Sequence, residues 1–128
     1  MKNDITCLLT LFAASCNFSD SVEKLSHGWT FASESKDGKV IVRGSQTIPC
    51  KVTRYGYNND FIVAMQRPTT TCFIGVDTNH YSLGKDSTYY WIVIHKENLL
   101  LGPMTEANFE KQRVVYNIPV DLTLESTD

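Results

Sequence analysis

A chain of 128 residues, 42% apolar and 20% charged, has the size and balance of one globular domain and excludes a large multidomain enzyme. Lys and Arg number 12 against 14 Asp and Glu, a net charge of -2, so the chain carries no electrostatic footprint for nucleic acid. No interior stretch reaches the roughly 20 consecutive apolar residues that a helix needs to cross a bilayer.

Met1-Lys2-Asn3-Asp4 is a short charged start, followed by the apolar stretch Ile5 to Ala14 and then Ser15-Cys16. An apolar run of roughly 7–15 residues after such a start has the form of a secretory signal, too short to span. The run Ala13-Ala14-Ser15-Cys16 resembles the lipobox of bacterial lipoproteins. That resemblance implies a diacylglycerol on the Cys16 thiol, loss of residues 1–15 as a signal peptide, and a body moored at the cell envelope, facing the periplasm or the exterior. The competing reading is a buried amino-terminal element with Cys7 and Cys16 as core thiols. The polar composition from Asn17 to Lys24 favours a lipid-anchored tether over residues 16–26. Acyl chains contributing about 0.8 kcal/mol per buried methylene would hold it stably if two are present.

Of four cysteines, Cys7 would go with the leader and Cys16 would carry lipid, which leaves Cys50 and Cys72. They are 22 residues apart. In an oxidising compartment they can close a disulfide worth about 3 kcal/mol by chain entropy. Two free buried thiols fit the same spacing. Neither sits in a Cys-x-x-Cys arrangement, so redox catalysis and structural zinc lack their usual motif.

From His27 onward the pattern has mainly period two. Trp29 and Phe31 alternate with polar or small neighbours, and Asp37-Gly38 supplies turn chemistry before Lys39 to Arg43, which makes a first hairpin. Cys50 to Tyr57, the turn Asn58-Asn59-Asp60 and Phe61 to Met65 make a second. Cys72 to Val76 reads as a further short strand, followed by a polar loop from Asp77 to Thr88. Tyr89 to Ile94, aromatic and β-branched throughout, is the strongest strand signal. After the turn Lys96-Glu97-Asn98, a strand Leu99 to Leu101 ends at Gly102-Pro103. Thr105 is a good N-cap for a helix from about Glu106 to Tyr116, with Met104 and Phe109 as its hydrophobic staple and Asn117 and Pro119 as its stop. Phe109, Val115 and Tyr116 are the residues expected to dock it on the sheet. The short connections favour antiparallel pairing. The expected fold is α+β, mainly antiparallel β: a small sheet or sandwich over residues 27–120, one carboxy-terminal helix packed on a face, and a polar tail from 121 to 128.

The succession Tyr90 to Ile94, Lys96-Glu97-Asn98, Leu101-Gly102-Pro103-Met104-Thr105 and Phe109 resembles the ending of small, functionally uncharacterised bacterial lipoproteins. The resemblance implies an envelope location and a single β-rich domain, and it transfers no catalytic role.

Three histidines bear on chemistry. His27 and His95 stand at strand boundaries and read as boundary or surface residues. His80 shares a polar loop with Asp77, Asn79, Tyr81 and Asp86, a set that could bind a cation or polar ligand or simply be a solvated connection. No nucleophile elbow, zinc helix or phosphate loop is present. Because alternate strand residues face opposite ways, Tyr89 and Trp91 share a side, which either presents an aromatic binding surface or lies under the helix. The expectation is therefore a non-catalytic envelope lipoprotein without cofactor or metal, binding an envelope protein or wall component and no nucleic acid. The rival is a small envelope hydrolase or metal-binding protein using Asp77, His80 and Asp86.

Overall fold

The computed structural model describes residues 21–73 and 80–128. Two antiparallel sheets face each other. The first has strands β1 (Ser21–Lys24), β2 (Thr30–Ser33), β3 (Lys39–Arg43) and β4 (Gln46–Ile48), in that spatial order. The second is built from β5 (Val52–Tyr57), β6 (Phe61–Gln66), β7 (Tyr89–Ile94), β8 (Leu99–Met104) and β9 (Glu125–Ser126), in the order β8-β7-β6-β5-β9. Helix α1 is the short turn Thr70–Phe73, and α2 is Glu106–Val115.

Period two decides which residues meet between the sheets. Phe31, Ile41 and Ile48 lie side by side across β2, β3 and β4, and with Trp29 they form the inner face of the first sheet. Against them the second sheet sets Val52, Ile62, Ala64, Tyr89, Trp91 and Val93. The intervening residues of β6 and β7, namely Val63, Tyr90, Ile92 and Ile94, point to the other side and meet Phe109 of α2 together with Ile118 and Leu122. All six residues of β7 are thus buried. Its unbroken apolar sequence reflects cover on both faces, the pattern of a strand without a solvent side.

The α2 ends are built as the sequence implies. The Thr105 hydroxyl accepts from Asn108 N at 3.3 Å. At the other end Asn117 adopts φ 57 and Ile118 N donates to Arg113 O, a left-handed stop in which Asn takes the place usual for Gly. Phe109 is 1% exposed and stacks on Tyr90 with centroids 4.7 Å apart. Val115, expected on the docking face, is instead exposed. At 100° per residue it lies about 120° round the helix from Phe109, whereas Arg113 and Tyr116 stay near it. Arg113 lies over the Phe109 ring and donates to Pro119 O and Leu122 O, tying down the chain that follows.

Further segments depart from the sequence expectation, among them β4, where no strand was expected. Residues 21–24, assigned to the tether, pair with β2 as β1. Residues 125–126 of the expected polar tail pair with β5, and the buried Lys39 ammonium donates to Thr127 and, at 2.9 Å, to the Asp128 carboxylate. Cys72 and Phe73 are helical in α1, not the start of a strand, while residues 74–76 lie outside the described residues. β8 runs through Gly102-Pro103 to Met104, its register slipping between the partners of Tyr90 and Ile92. This irregularity seats Gly102 at φ 141 with the Trp91 indole directly against it; a Cβ there would lie 2.5 Å from the ring. Among the described residues no helix is long and apolar enough to cross a membrane.

Candidate functional site

The β1–β2 connection is a tight turn in which Trp29 N donates to Ser26 O, with φ 55 at His27 and φ 84 at Gly28. Two successive positive φ values are the mark of the hairpin turns that match strand twist, and Gly28 suits the second position. The turn lies over the end of β7. There His95 opens a 3-10 turn, His95–Glu97, closed by Asn98 at φ 51. The His27 and His95 rings stack, 4.2 Å between centroids and 29° between planes.

Backbone and hydroxyl groups fix both rings. His27 Nε2 stands 2.8 Å from Asn59 O; a carbonyl only accepts, so Nε2 carries the hydrogen. His95 Nε2 is 2.7 Å from Ser26 Oγ, and His95 N donates to Asp60 O at 3.1 Å. The other His95 ring nitrogen, Nδ1, is buried with no hydrogen-bond partner. Arg43 closes the arrangement, donating to Gln46 Oε1 at 2.8 Å and to the Asn98 side chain while its guanidinium lies 5.2 Å from the Trp29 ring centre. Burial, then the neighbouring His27 and the Arg43 cation, press the His95 pKa down to about 4 against the opposing pull of Asp60. His95 is therefore neutral at pH 7. Beside the rings opens a groove of about 630 Å³ with Asn59, Asp60, Lys96, Tyr116 and Asn117 in its walls. His95 lines that groove, and a serine hydroxyl held on its neutral imidazole can pass a proton and form a bond to an electrophile.

A second groove, about 620 Å³, runs along β1, β5 and β9. Its walls include Glu23, Tyr57, Asp121 and Glu125. Tyr55 stacks on Phe31 and donates its hydroxyl to Glu23, and burial together with that carboxylate holds the phenol well above its usual range.

A family model described as "Protein of unknown function (DUF3997)" matches residues 21–128. The chain belongs to this family. The DUF3997 match begins at the first residue of β1 and takes in both sheets, α2 and the carboxy-terminal strand. No curated protein and no solved structure matches.

Within this DUF3997 domain the residues singled out in the sequence separate widely. Cys50 and Cys72 form a disulfide with 5.4 Å between Cα atoms, linking the start of β5 to α1. Tyr89 and Trp91 are core residues, 1% and 6% exposed, so β7 offers no aromatic binding face. The Tyr89 hydroxyl accepts from Leu83 N and donates to Gly84 O; the Trp91 indole donates to Gln66 Oε1 at 2.7 Å. His80 and Asp86 are exposed, and Asp86 pairs with Lys85 at 2.8 Å, which holds its carboxyl below the ordinary range. Asp77 and Cys16 lie outside the described residues. Among the described residues no group of three His, Cys, Asp or Glu side chains is placed to hold a metal ion. Sequence reasoning left His27 and His95 at strand boundaries and did not consider Ser26. The positive-φ turn is legible in Ser26-His27-Gly28, but the pairing with His95 joins residues 69 apart and has no local signature.

Proposed function

We propose that this DUF3997 chain is an exported β-rich interaction module, moored to the cell envelope by a lipid on Cys16, that takes an envelope protein or wall component in the groove beside His27 and His95. The observation that carries the export is the Cys50–Cys72 disulfide. Such bonds persist in oxidising compartments and are rare in a reducing cytosol. The anchor rests on the lipobox-like Ala13-Ala14-Ser15-Cys16, and the groove contributes the polar groups of both charges that a specific site uses for orientation. Of the rival set Asp77, His80 and Asp86, the Asp86 carboxylate is turned to Lys85. The anchor is tested by growing expressing cells with an alkyne fatty acid and reading the label on the protein. Wild type should be labelled and sediment with membranes, and Cys16→Ser should lose both properties. Label retained in Cys16→Ser, or an unlabelled wild-type protein still beginning at Met1, would overturn it.

A further inference from the structure

We propose that Ser26 is a nucleophile for acyl transfer, with His95 as its base, and, resting on the reading of the groove given above, that the component taken there is a neutral ester of a polar alcohol. The expectation of a non-catalytic chain rested on the absence of a nucleophile next to a base in the sequence. Folding supplies one. Ser26 Oγ and His95 Nε2 stand at 2.7 Å, within the range that proton transfer needs. Three contacts keep the imidazole there without a carboxylate: the stack on His27, the anchoring of His27 by Asn59 O, and the main-chain bond from His95 to Asp60 O. With Ser26 donating to Nε2, the remaining proton sits on Nδ1, the nitrogen that is buried. His27 is accordingly a positioning residue.

The walls of the groove define the substrate. Asn59, Tyr116 and Asn117 offer neutral hydrogen-bonding groups, and the carboxylates of Asp60 and Glu97 outnumber the Lys96 ammonium, which disfavours an anionic ligand. That lining suits a hydroxyl-rich alcohol better than a phosphate, and Phe61, Ile94 and Val115 in the same walls offer apolar surface to the acyl chain. In the reaction Ser26 Oγ attacks the ester carbonyl carbon and its proton passes to His95 Nε2. The bond from carbon to alcohol oxygen breaks, and the alcohol leaves with that proton. Water then attacks the acyl-serine, His95 takes its proton and returns it to Ser26, and a carboxylic acid departs. Ester and water become acid and alcohol with no other reactant.

The test uses the full chain and a fluorophosphonate, which phosphonylates activated serines with loss of fluoride. Peptide mass mapping should find one adduct, on Ser26, and hydrolysis of p-nitrophenyl acetate should fall in parallel as the serine is blocked. Ser26→Ala should abolish both, His95→Gln should slow both by at least about 100-fold, and His80→Ala should change neither. The labelling rate should be half-maximal near pH 4, where His95 takes up its proton, and His27→Ala should move that point upward toward ordinary imidazole values. The pH profile needs no variant and so stands even where His95→Gln fails to fold. Ser26 left unmodified in folded wild type, an adduct only on other serines, or an undiminished rate in folded His95→Gln would overturn the proposal. None of these readouts depends on Cys16, so the anchor and the reactive serine stand or fall separately.

Discussion

Replacing Gln66 by Leu should destabilise the domain by about 2–4 kcal/mol, because this fully buried amide serves three partners at once. Its Oε1 accepts from the Trp91 indole at 2.7 Å, while its Nε2 donates to Cys50 O at 3.0 Å and to the Tyr81 hydroxyl at 3.3 Å. Leu fills nearly the same space but leaves the indole N–H and the Cys50 carbonyl without a partner. Each orphaned group costs about 1–3 kcal/mol, offset in part by burying an apolar side chain where an amide had been. Urea unfolding followed by tryptophan fluorescence measures the loss, which corresponds to roughly 10–20 °C in melting temperature for a domain of this size. A double-mutant cycle isolates the cause. In a Trp91→Phe background the indole N–H is gone, so the cost of Gln66→Leu should shrink by about 1–2 kcal/mol. A single-variant cost below about 0.5 kcal/mol, or an unchanged cost in the Trp91→Phe background, would refute the idea that this amide organises the junction of β6, β7 and the segment around Tyr81.

Three further outcomes follow from the same structure. The folded-state pKa of His95 lies near 4, below its unfolded value, so the unfolded chain binds more protons and stability should decline as pH falls from about 6.5 toward 4. After allowance for solvent screening of a partly exposed ring, the decline attributable to His95 is about 1 kcal/mol, and His95→Gln should flatten a plot of urea midpoint against pH over that window. Gly102→Ala should cost about 2–4 kcal/mol, since the added methyl meets the Trp91 ring at 2.5 Å on a backbone with φ 141; a melting temperature equal to that of wild type would show that β8 relaxes away from the indole. Loss of the disulfide in Cys50→Ala/Cys72→Ala should lower stability by about 3 kcal/mol in denaturant titration, and thiol titration of the unfolded, unreduced wild-type domain should detect neither Cys50 nor Cys72.

Most of the second sheet was legible because its strands advertise themselves. Tyr89 to Ile94 is β-branched and aromatic throughout, Asn58-Asn59-Asp60 is turn chemistry between two apolar runs, and Thr105 with Glu106 and Phe109 marks the helix start. Beside the short β4, the missed strands are those whose order comes from a neighbour. Ser21-Val22-Glu23-Lys24 is exposed at every position and has no core-facing pattern of its own; β2 supplies its hydrogen bonds. Glu125 and Ser126 are held by β5, and the Thr127 that follows them by a buried Lys39 that lies 88 residues earlier in the chain. Cys72 looked like a strand residue because Cys-Phe-Ile is apolar, yet it sits in a helical turn next to its disulfide. The candidate site shows the same contrast more sharply. Its turn is written locally in His27-Gly28, whereas the contact that matters is made only when the first sheet folds over the end of β7.

That two-sided cover also governs where this fold can do chemistry. Tyr89, Trp91, Phe31 and Trp29 are used between the sheets, and Tyr90 and Phe109 under the helix, so the large rings that could have made a flat binding face are spent on cohesion. Polar groups of β7 cannot reach solvent along the strand, because each of its six residues is buried. Contact with solvent resumes where the strand ends, and His95 is the first residue beyond it. The β1–β2 hairpin must place something above that end to close the sandwich, and what it places is Ser26 and His27. An imidazole capped in this way loses hydration without gaining a carboxylate, which explains why it stays neutral and why Nδ1 is left bare. A residue chosen only to seal the core at this position would be apolar, since a buried nitrogen without a partner costs about 1–3 kcal/mol. The Trp29 indole Nε1 bears the same penalty inside the core, so what sets His95 apart is the serine hydroxyl on its Nε2 and the polar groove at its side.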